Sequence, residues 1–130
     1  LQMQLSNDQA TEVKYRKAKA LLRRSKRADA RGLLEELSKD TRSQYGAESD
    51  YLLSQLLSDM GDKAGAEKVI MDFIKEGTPH MYWLARSFIL LSDIYKSQGK
   101  DVEARQYLLS LKSNYTESDD IAQMIEDRLD

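Results

Sequence analysis

The sequence is poor in the residues that carry most site chemistry and most covalent stabilisation. It has no cysteine, one histidine, one proline and six glycines among 130 residues. The absence of cysteine excludes a disulfide framework, a thiolate metal site and a cysteine nucleophile, and a single histidine excludes a multi-histidine metal cluster. Little proline and glycine argue against an all-β or a disordered chain. We therefore expect no metal, no cofactor and no enzymatic activity.

Long apolar runs and a strong net charge are also absent. No stretch approaches the ~20 apolar residues that a membrane span requires. The 20 basic and 22 acidic residues give a formal charge of −2, which excludes a uniformly basic nucleic-acid binder. Residues 1–10 have neither the basic start nor the apolar run of a signal peptide. The chain begins with Leu1 rather than Met, as a processed form or a fragment would.

What the sequence does contain is a regular series of helical segments. Between polar or glycine-containing breaks, apolar residues recur at intervals of three and four, and no segment alternates as a strand would. The pattern predicts an all-α fold in one domain covering residues 1–130. The fifth helix is expected to have Thr78 as its cap and Pro79 in its first turn. The predicted helices lie at about 8–26, 28–43, 47–60, 63–76, 79–98, 101–114 and 118–129.

Three pairs of predicted helices repeat one another. Residues 53–62 match residues 91–100 at an offset of 38, and a more divergent copy lies 36 residues upstream of the middle one. The copies share small residues where the two helices of a pair would cross, because small side chains let backbones approach closely. These are Ala18, Ser54 and Ser92 on the first helices and Ala30, Ala66 and Ala104 on the second. One pair cannot cover its own apolar face, so the pairs are expected to stack.

These positions resemble the tetratricopeptide repeat family. The best copy has Gly99 at the turn, Ala104 five residues later, and Leu108 and Leu111 beyond it, whereas Ser25 replaces the turn glycine of the first copy. The resemblance implies a right-handed superhelix of about three helix pairs, although the spacing exceeds the family's usual ~34 residues. The implied repeats are about 10–45, 46–78 and 79–116, followed by a capping helix at 118–129.

In that family the first helices of the pairs line a concave groove, so the resemblance implies a non-catalytic protein-interaction or scaffold module that binds a peptide or a partner helix. Positions i, i+3, i+7 and i+10 along each first helix share one face. The residues expected in the groove are Glu12, Tyr15, Lys19 and Leu22, then Glu48, Tyr51, Gln55 and Ser58, then Arg86, Ile89, Asp93 and Lys96. Their mixed character suits a peptide with an apolar anchor.

Two readings of the groove stay open at this point. The tyrosines would bind a ligand, or they would only pack against a neighbouring turn while the capping helix fills the groove. The lysine, arginine and asparagine pattern with which some family members grip a C-terminal carboxylate is absent here, so that ligand is not expected. Bacterial members often act at the cell envelope, which leaves the periplasm and the cytoplasm as alternative compartments.

The charge distribution supports two further alternatives. Residues 1–42 hold 11 basic and 6 acidic residues, whereas residues 43–130 hold 9 and 16. The basic region from Lys14 to Arg31 would suit nucleic-acid phosphates, but its charges are spread around the helix, so nucleic acid is the weaker alternative. The other alternative is self-association within a larger protein, in which Asp119 and Asp120 of one copy would meet the basic region of another.

Overall fold

The structure is a computed structural model that describes residues 6–130. Residues 1–5, part of the segment in which no signal peptide is expected, lie outside the described residues. The described part is all-helical, as predicted, and none of its helices is long and apolar enough to cross a membrane. The seven helices are α1 (Asn7–Arg23), α2 (Arg27–Leu37), α3 (Gln44–Asp59), α4 (Lys63–Glu76), α5 (Met81–Ser97), α6 (Asp101–Asn114) and α7 (Ile121–Leu129).

The predicted start of α5 is wrong. The sequence predicts a helix capped by Thr78, with Pro79 in its first turn, but the helix begins at Met81. The reason lies in tertiary hydrogen bonds: the Thr78 hydroxyl donates to the Thr41 carbonyl at 2.5 Å, and the Thr41 hydroxyl donates to the Gly77 carbonyl at 3.0 Å. The α2–α3 and α4–α5 connections therefore hold each other, and residues 77–80 stay outside the helix.

The boundary between α2 and α3 also differs from the prediction. Helix α2 ends at Leu37 rather than near residue 43, and α3 begins earlier because the Ser43 hydroxyl accepts the backbone N–H groups at its start. A Cβ at Gly46 would lie 1.8 Å from the Asp40 carbonyl oxygen, so only glycine allows this turn to approach α3 so closely. Helix α7 likewise begins at residue 121 rather than 118.

The turns inside the first three helix pairs share one backbone geometry. Ser25, Gly61 and Gly99 have φ angles of 59°, 88° and 77°, in the left-handed region that favours glycine. Each turn closes with the same long backbone bond, as in a Schellman motif. These bonds run from Lys26 to Leu21 at 2.9 Å, from Asp62 to Leu57 at 2.8 Å and from Lys100 to Tyr95 at 2.9 Å.

The helices pack in a regular order. Each first helix contacts its own second helix (α1 with α2, α3 with α4, α5 with α6), and each second helix contacts the first helix that follows. Helices α1, α3, α5 and α7 also contact one another in succession and form one row, which we call the inner row. Among the described residues, α2, α4 and α6 make no close contact with each other.

The core lies where these helices cross. The six small residues at the predicted crossings are all buried, and the Ser92 hydroxyl donates to the Ala104 carbonyl at 3.0 Å. Helix α7 buries Ile121 and Ile125 against an apolar surface of α5 and α6 that includes Ala85. This packing places α7 beside α5 and makes it the last wall of the inner row.

Candidate functional site

The predicted groove residues lie along the inner row, and several of them meet at the junction between α1 and α3. There the Tyr15 hydroxyl donates to one Glu48 oxygen at 2.7 Å, and the Lys19 ammonium donates to the other at 3.0 Å. Lys19 also donates to the Tyr15 hydroxyl at 3.2 Å. The hydrogen bond to Glu48 raises the pKa of Lys19 and keeps the ammonium charged. We call Tyr15, Lys19 and Glu48 the closed cluster, because its cation and its acid neutralise each other.

In an equivalent set of side chains at the junction between α3 and α5, no acid pairs with the cation. Arg86 donates to the Tyr82 hydroxyl at 2.9 Å and to the Tyr51 hydroxyl at 3.1 Å, and its guanidinium lies 5.0 Å from the centre of the Tyr51 ring. No ion pair within residues 6–130 includes Arg86. We call Tyr51, Tyr82 and Arg86 the open cluster.

Arg86 carries an unsatisfied hydrogen-bond donor. The side chain is half-buried, and its Nε atom is buried without any partner. A buried donor of this kind costs about 1–3 kcal/mol. Burial lowers the pKa of Arg86, but hydrogen bonds to Tyr82 and Tyr51 more than offset this effect and raise the pKa overall, so the guanidinium stays charged.

A cavity of about 160 Å³ adjoins the open cluster, and three helices of the inner row form its walls. Within it, Arg128 binds Asp93 through two hydrogen bonds of 2.8 and 3.0 Å, which neutralise that acid. Arg86 therefore remains the one uncompensated charge among the lining residues. The lining comprises Tyr51 and Gln55 from α3, Arg86, Ile89, Leu90 and Asp93 from α5, and Met124 and Arg128 from α7.

Other predicted groove residues lie elsewhere. Glu12 forms an ion pair with Arg16 at 2.7 Å and belongs to neither cluster. Ile89 is only 2% exposed, because α7 packs over α5, so this side chain belongs mainly to the core. Lys96 is exposed and lines a different cleft, between α5, α6 and the end of α7. Ser58 is buried and accepts a hydrogen bond from a lysine of α4.

Sequence reasoning missed several side chains that complete the site. Tyr82 lies four residues before Arg86 and hence on the same helix face, so extending the predicted strip by one turn would have found it. Its hydroxyl donates to Asp120 at 3.1 Å. Met124 and Arg128 lie on α7, which has no counterpart among the repeated segments and therefore offered no signal.

The remaining candidate regions do not form a comparable site. Four of the nine basic side chains from Lys14 to Arg31 form ion pairs with acids of this chain. His80 lies 2.8 Å from the Arg42 carbonyl and helps hold the loop before α5. Within residues 6–130 no three metal-ligating side chains group together.

The chain was compared with protein-family models, curated proteins and solved structures, and nothing in any of the three matches it.

Proposed function

We propose that this protein is a non-catalytic interaction module of about three tetratricopeptide-like helix pairs, and that it binds a peptide or a partner helix along its inner row. The similar turns at Ser25, Gly61 and Gly99 support the repeat architecture. So does the order of helix contacts, in which only first helices touch their counterparts in the next pair. A right-handed superhelix capped by α7 follows from this proposal.

The open cluster is the observation that supports binding. Buried polar groups in folded proteins are nearly always partnered, and an exception calls for an explanation. Arg86 is such an exception, and it borders a cavity whose walls come from three helices. An uncompensated cation at that place is explained if a ligand completes it.

The rigid helices around the cavity allow a few contacts to give useful binding affinity. The lining residues sit on helices rather than loops, so little ordering of the backbone is required when a ligand binds. Tyr51 and Arg86 supply the residue types most enriched at binding hot spots. Gln55, Asp93 and Arg128 surround them with polar groups that can position a peptide.

A capture experiment with matched variants tests the proposal. Nuclease-treated lysate of the source cells is passed over wild-type protein, Arg86→Met and Arg105→Met, the last being an exposed arginine of α6 outside the inner row. We expect wild type and Arg105→Met to retain a protein that Arg86→Met loses. Peptides of that protein should then bind wild type in calorimetry.

Other outcomes would contradict it. If all three proteins capture the same set, the inner row is not the binding surface. If the only protein recovered is more of this chain, the proposal gives way to self-association. If binding appears only when the nuclease is omitted, the basic region from Lys14 to Arg31 becomes the site.

A further inference from the structure

We infer that the partner presents a glutamate or aspartate side chain to Arg86, with an apolar residue beside it. This inference rests on the proposed function and names the chemistry of the ligand at that site. It follows from four features of the cavity: the donors that Arg86 leaves free, the net charge of the lining, the size of the space and the internal precedent of the closed cluster.

The free donors of Arg86 fit a carboxylate. A guanidinium has five N–H donors, and Arg86 uses two of them on Tyr51 and Tyr82. The Nε–H is unused but buried, so the donors left for a ligand are the second N–H groups of the two terminal nitrogens. Planar guanidinium donors match the two oxygens of a carboxylate, which accepts paired hydrogen bonds from them. The Tyr51 hydroxyl has no acceptor of its own among the described residues, so it offers the same ligand a further donor.

The net positive charge of the lining favours a ligand group with a single negative charge. Asp93 and Arg128 cancel each other through their paired hydrogen bonds, which leaves the one positive charge of Arg86. A carboxylate restores neutrality, whereas a phosphate dianion would leave an excess of negative charge beside Asp93.

The size and remaining walls of the cavity point to a side chain of a longer ligand. Its volume of about 160 Å³ is smaller than the ~300 Å³ at which pockets for separate small molecules begin. Leu90 and Met124, which are partly exposed, supply apolar wall beside Arg86. They would contact the methylene groups of the acid and a neighbouring apolar residue of the peptide.

In the closed cluster, a carboxylate of this chain already binds a tyrosine and a cation in the way proposed for the partner. Glu48 stands one junction earlier in the inner row, where it accepts from a tyrosine and a lysine of the preceding first helix. At the next junction Arg86 occupies the position of that acid, and Gln55 occupies the position of Lys19. A partner carboxylate would therefore supply the group that the α3–α5 junction lacks.

A selection from displayed random peptides with free N-termini tests the inference. Each peptide is attached to its carrier through its C-terminus and so has no free C-terminal carboxylate, which means that any acidic preference must come from side chains. We expect wild type to select peptides in which an aspartate or glutamate lies close to an apolar residue. A selected peptide, made synthetically, should bind Arg86→Met at least about tenfold more weakly and should bind Arg105→Met like wild type.

A double-mutant cycle then identifies the contact. Replacing the acid of the peptide by its amide should weaken binding to wild type about as much as Arg86→Met does, and the two changes together should cost little more than either alone. Arg86→Lys, which keeps the charge but loses the planar donors, should give an intermediate loss. Thermal melts of each variant separate loss of contact from loss of fold.

The possible failures have different meanings. If no peptide is selected above background, the proposed function fails and the inference fails with it. If peptides are selected without acidic enrichment, or if the amide peptide binds equally well, the inference is overturned while the groove remains a binding site. Additive losses in the cycle would show that Arg86 does not contact the acid.

Discussion

The closed and open clusters occupy successive junctions of the inner row and are assembled from the same parts. In each, a tyrosine of one first helix meets the charged residue at the start of the groove strip on the next: Tyr15 meets Glu48 at 2.7 Å, and Tyr51 meets Arg86 at 3.1 Å. In the closed cluster the tyrosine's own helix also supplies Lys19, which pairs with the acid. In the open cluster that position is Gln55, so Arg86 has no ionic partner.

The difference shows that two successive junctions of the inner row can differ in charge compensation. Glu48 joins α1 to α3 by satisfying a tyrosine and a lysine at once, which is a contribution to stability. Arg86 joins α3 to α5 only through Tyr51, whose hydroxyl it binds and whose ring it covers, and keeps a buried donor unsatisfied. Sites that give up stability in this way are commonly those that serve binding.

A buried carboxyl group, that of Asp50, allows the cost of an unpartnered charge to be measured. A carboxylate can be neutralised by lowering the pH, whereas a guanidinium stays charged. Asp50 is buried and makes no ion pair within the described residues. Burial, with Glu76 and Asp72 nearby, raises the pKa of Asp50 to about 7. The raised pKa means that the fold favours the neutral form, so stability is highest below the unfolded pKa and declines as pH rises through about 7.

We expect the free energy of unfolding of wild type, relative to Asp50→Asn, to fall by on the order of 2–4 kcal/mol between about pH 4 and about pH 8. Denaturant titrations at a series of pH values would measure this difference. Parallel pH profiles for the two proteins would show that Asp50 keeps its ordinary pKa in the fold.

Removing the acid of the closed cluster should give the next largest effect. Glu48→Ala leaves the half-buried Tyr15 hydroxyl and Lys19 ammonium without their acceptor, and we expect a loss of about 1–2 kcal/mol in stability. Arg86→Met removes no ion pair; it loses hydrogen bonds to Tyr51 and Tyr82 but also removes a buried unsatisfied donor, so we expect a smaller loss than for Glu48→Ala. Chemical denaturation of both variants measures the difference in stability. Equal losses would contradict the distinction between the closed and open clusters.

The turns that follow α1, α3 and α5 are expected to differ by a smaller amount in their contribution to stability. Ser25 holds the left-handed conformation that Gly61 and Gly99 hold elsewhere. Ser25→Gly should therefore raise stability by about 0.5–1 kcal/mol, and Gly99→Ser should lower it by a similar amount. A Cβ at Gly99 would meet nothing within 4 Å, so backbone conformation alone sets the cost. Thermal melts that moved both variants in the same direction would contradict this account.

The smallest expected change in stability comes from a substitution that gives the open cluster the acid it lacks. Gln55→Glu places an acid among the residues around Arg86 and would convert the open cluster into a closed one with its charges exchanged. We expect a gain of about 0.2–1 kcal/mol in stability together with weaker binding of acidic peptides. Thermal melts measure the stability and calorimetry measures the binding, both on one preparation. If the variant binds acidic peptides as strongly as wild type, Gln55 does not lie close enough to Arg86 to affect the site.

Much of the fold could be predicted from local patterns. The helical periodicity predicted the all-α class and seven helices, and the small residues at Ala18, Ser54 and Ser92 are buried where two helices cross. Such patterns succeed because a helix must bury one face and must end at a residue that tolerates its turn. The start of α5 was missed because Thr41, distant in sequence, holds Thr78 in a connection rather than a cap.

The helices, their turns and the residues that share a face follow from local sequence, because they depend on neighbours three to seven positions away. The sequence placed Tyr51, Gln55 and Arg86 on one predicted surface. Helix packing sets the rest: Glu48 neutralises Lys19, α7 brings Arg128 to Asp93, and Arg86 keeps a buried donor and has no ionic partner. Charge compensation depends on distances between side chains of different helices, and the packing of the inner row sets those distances.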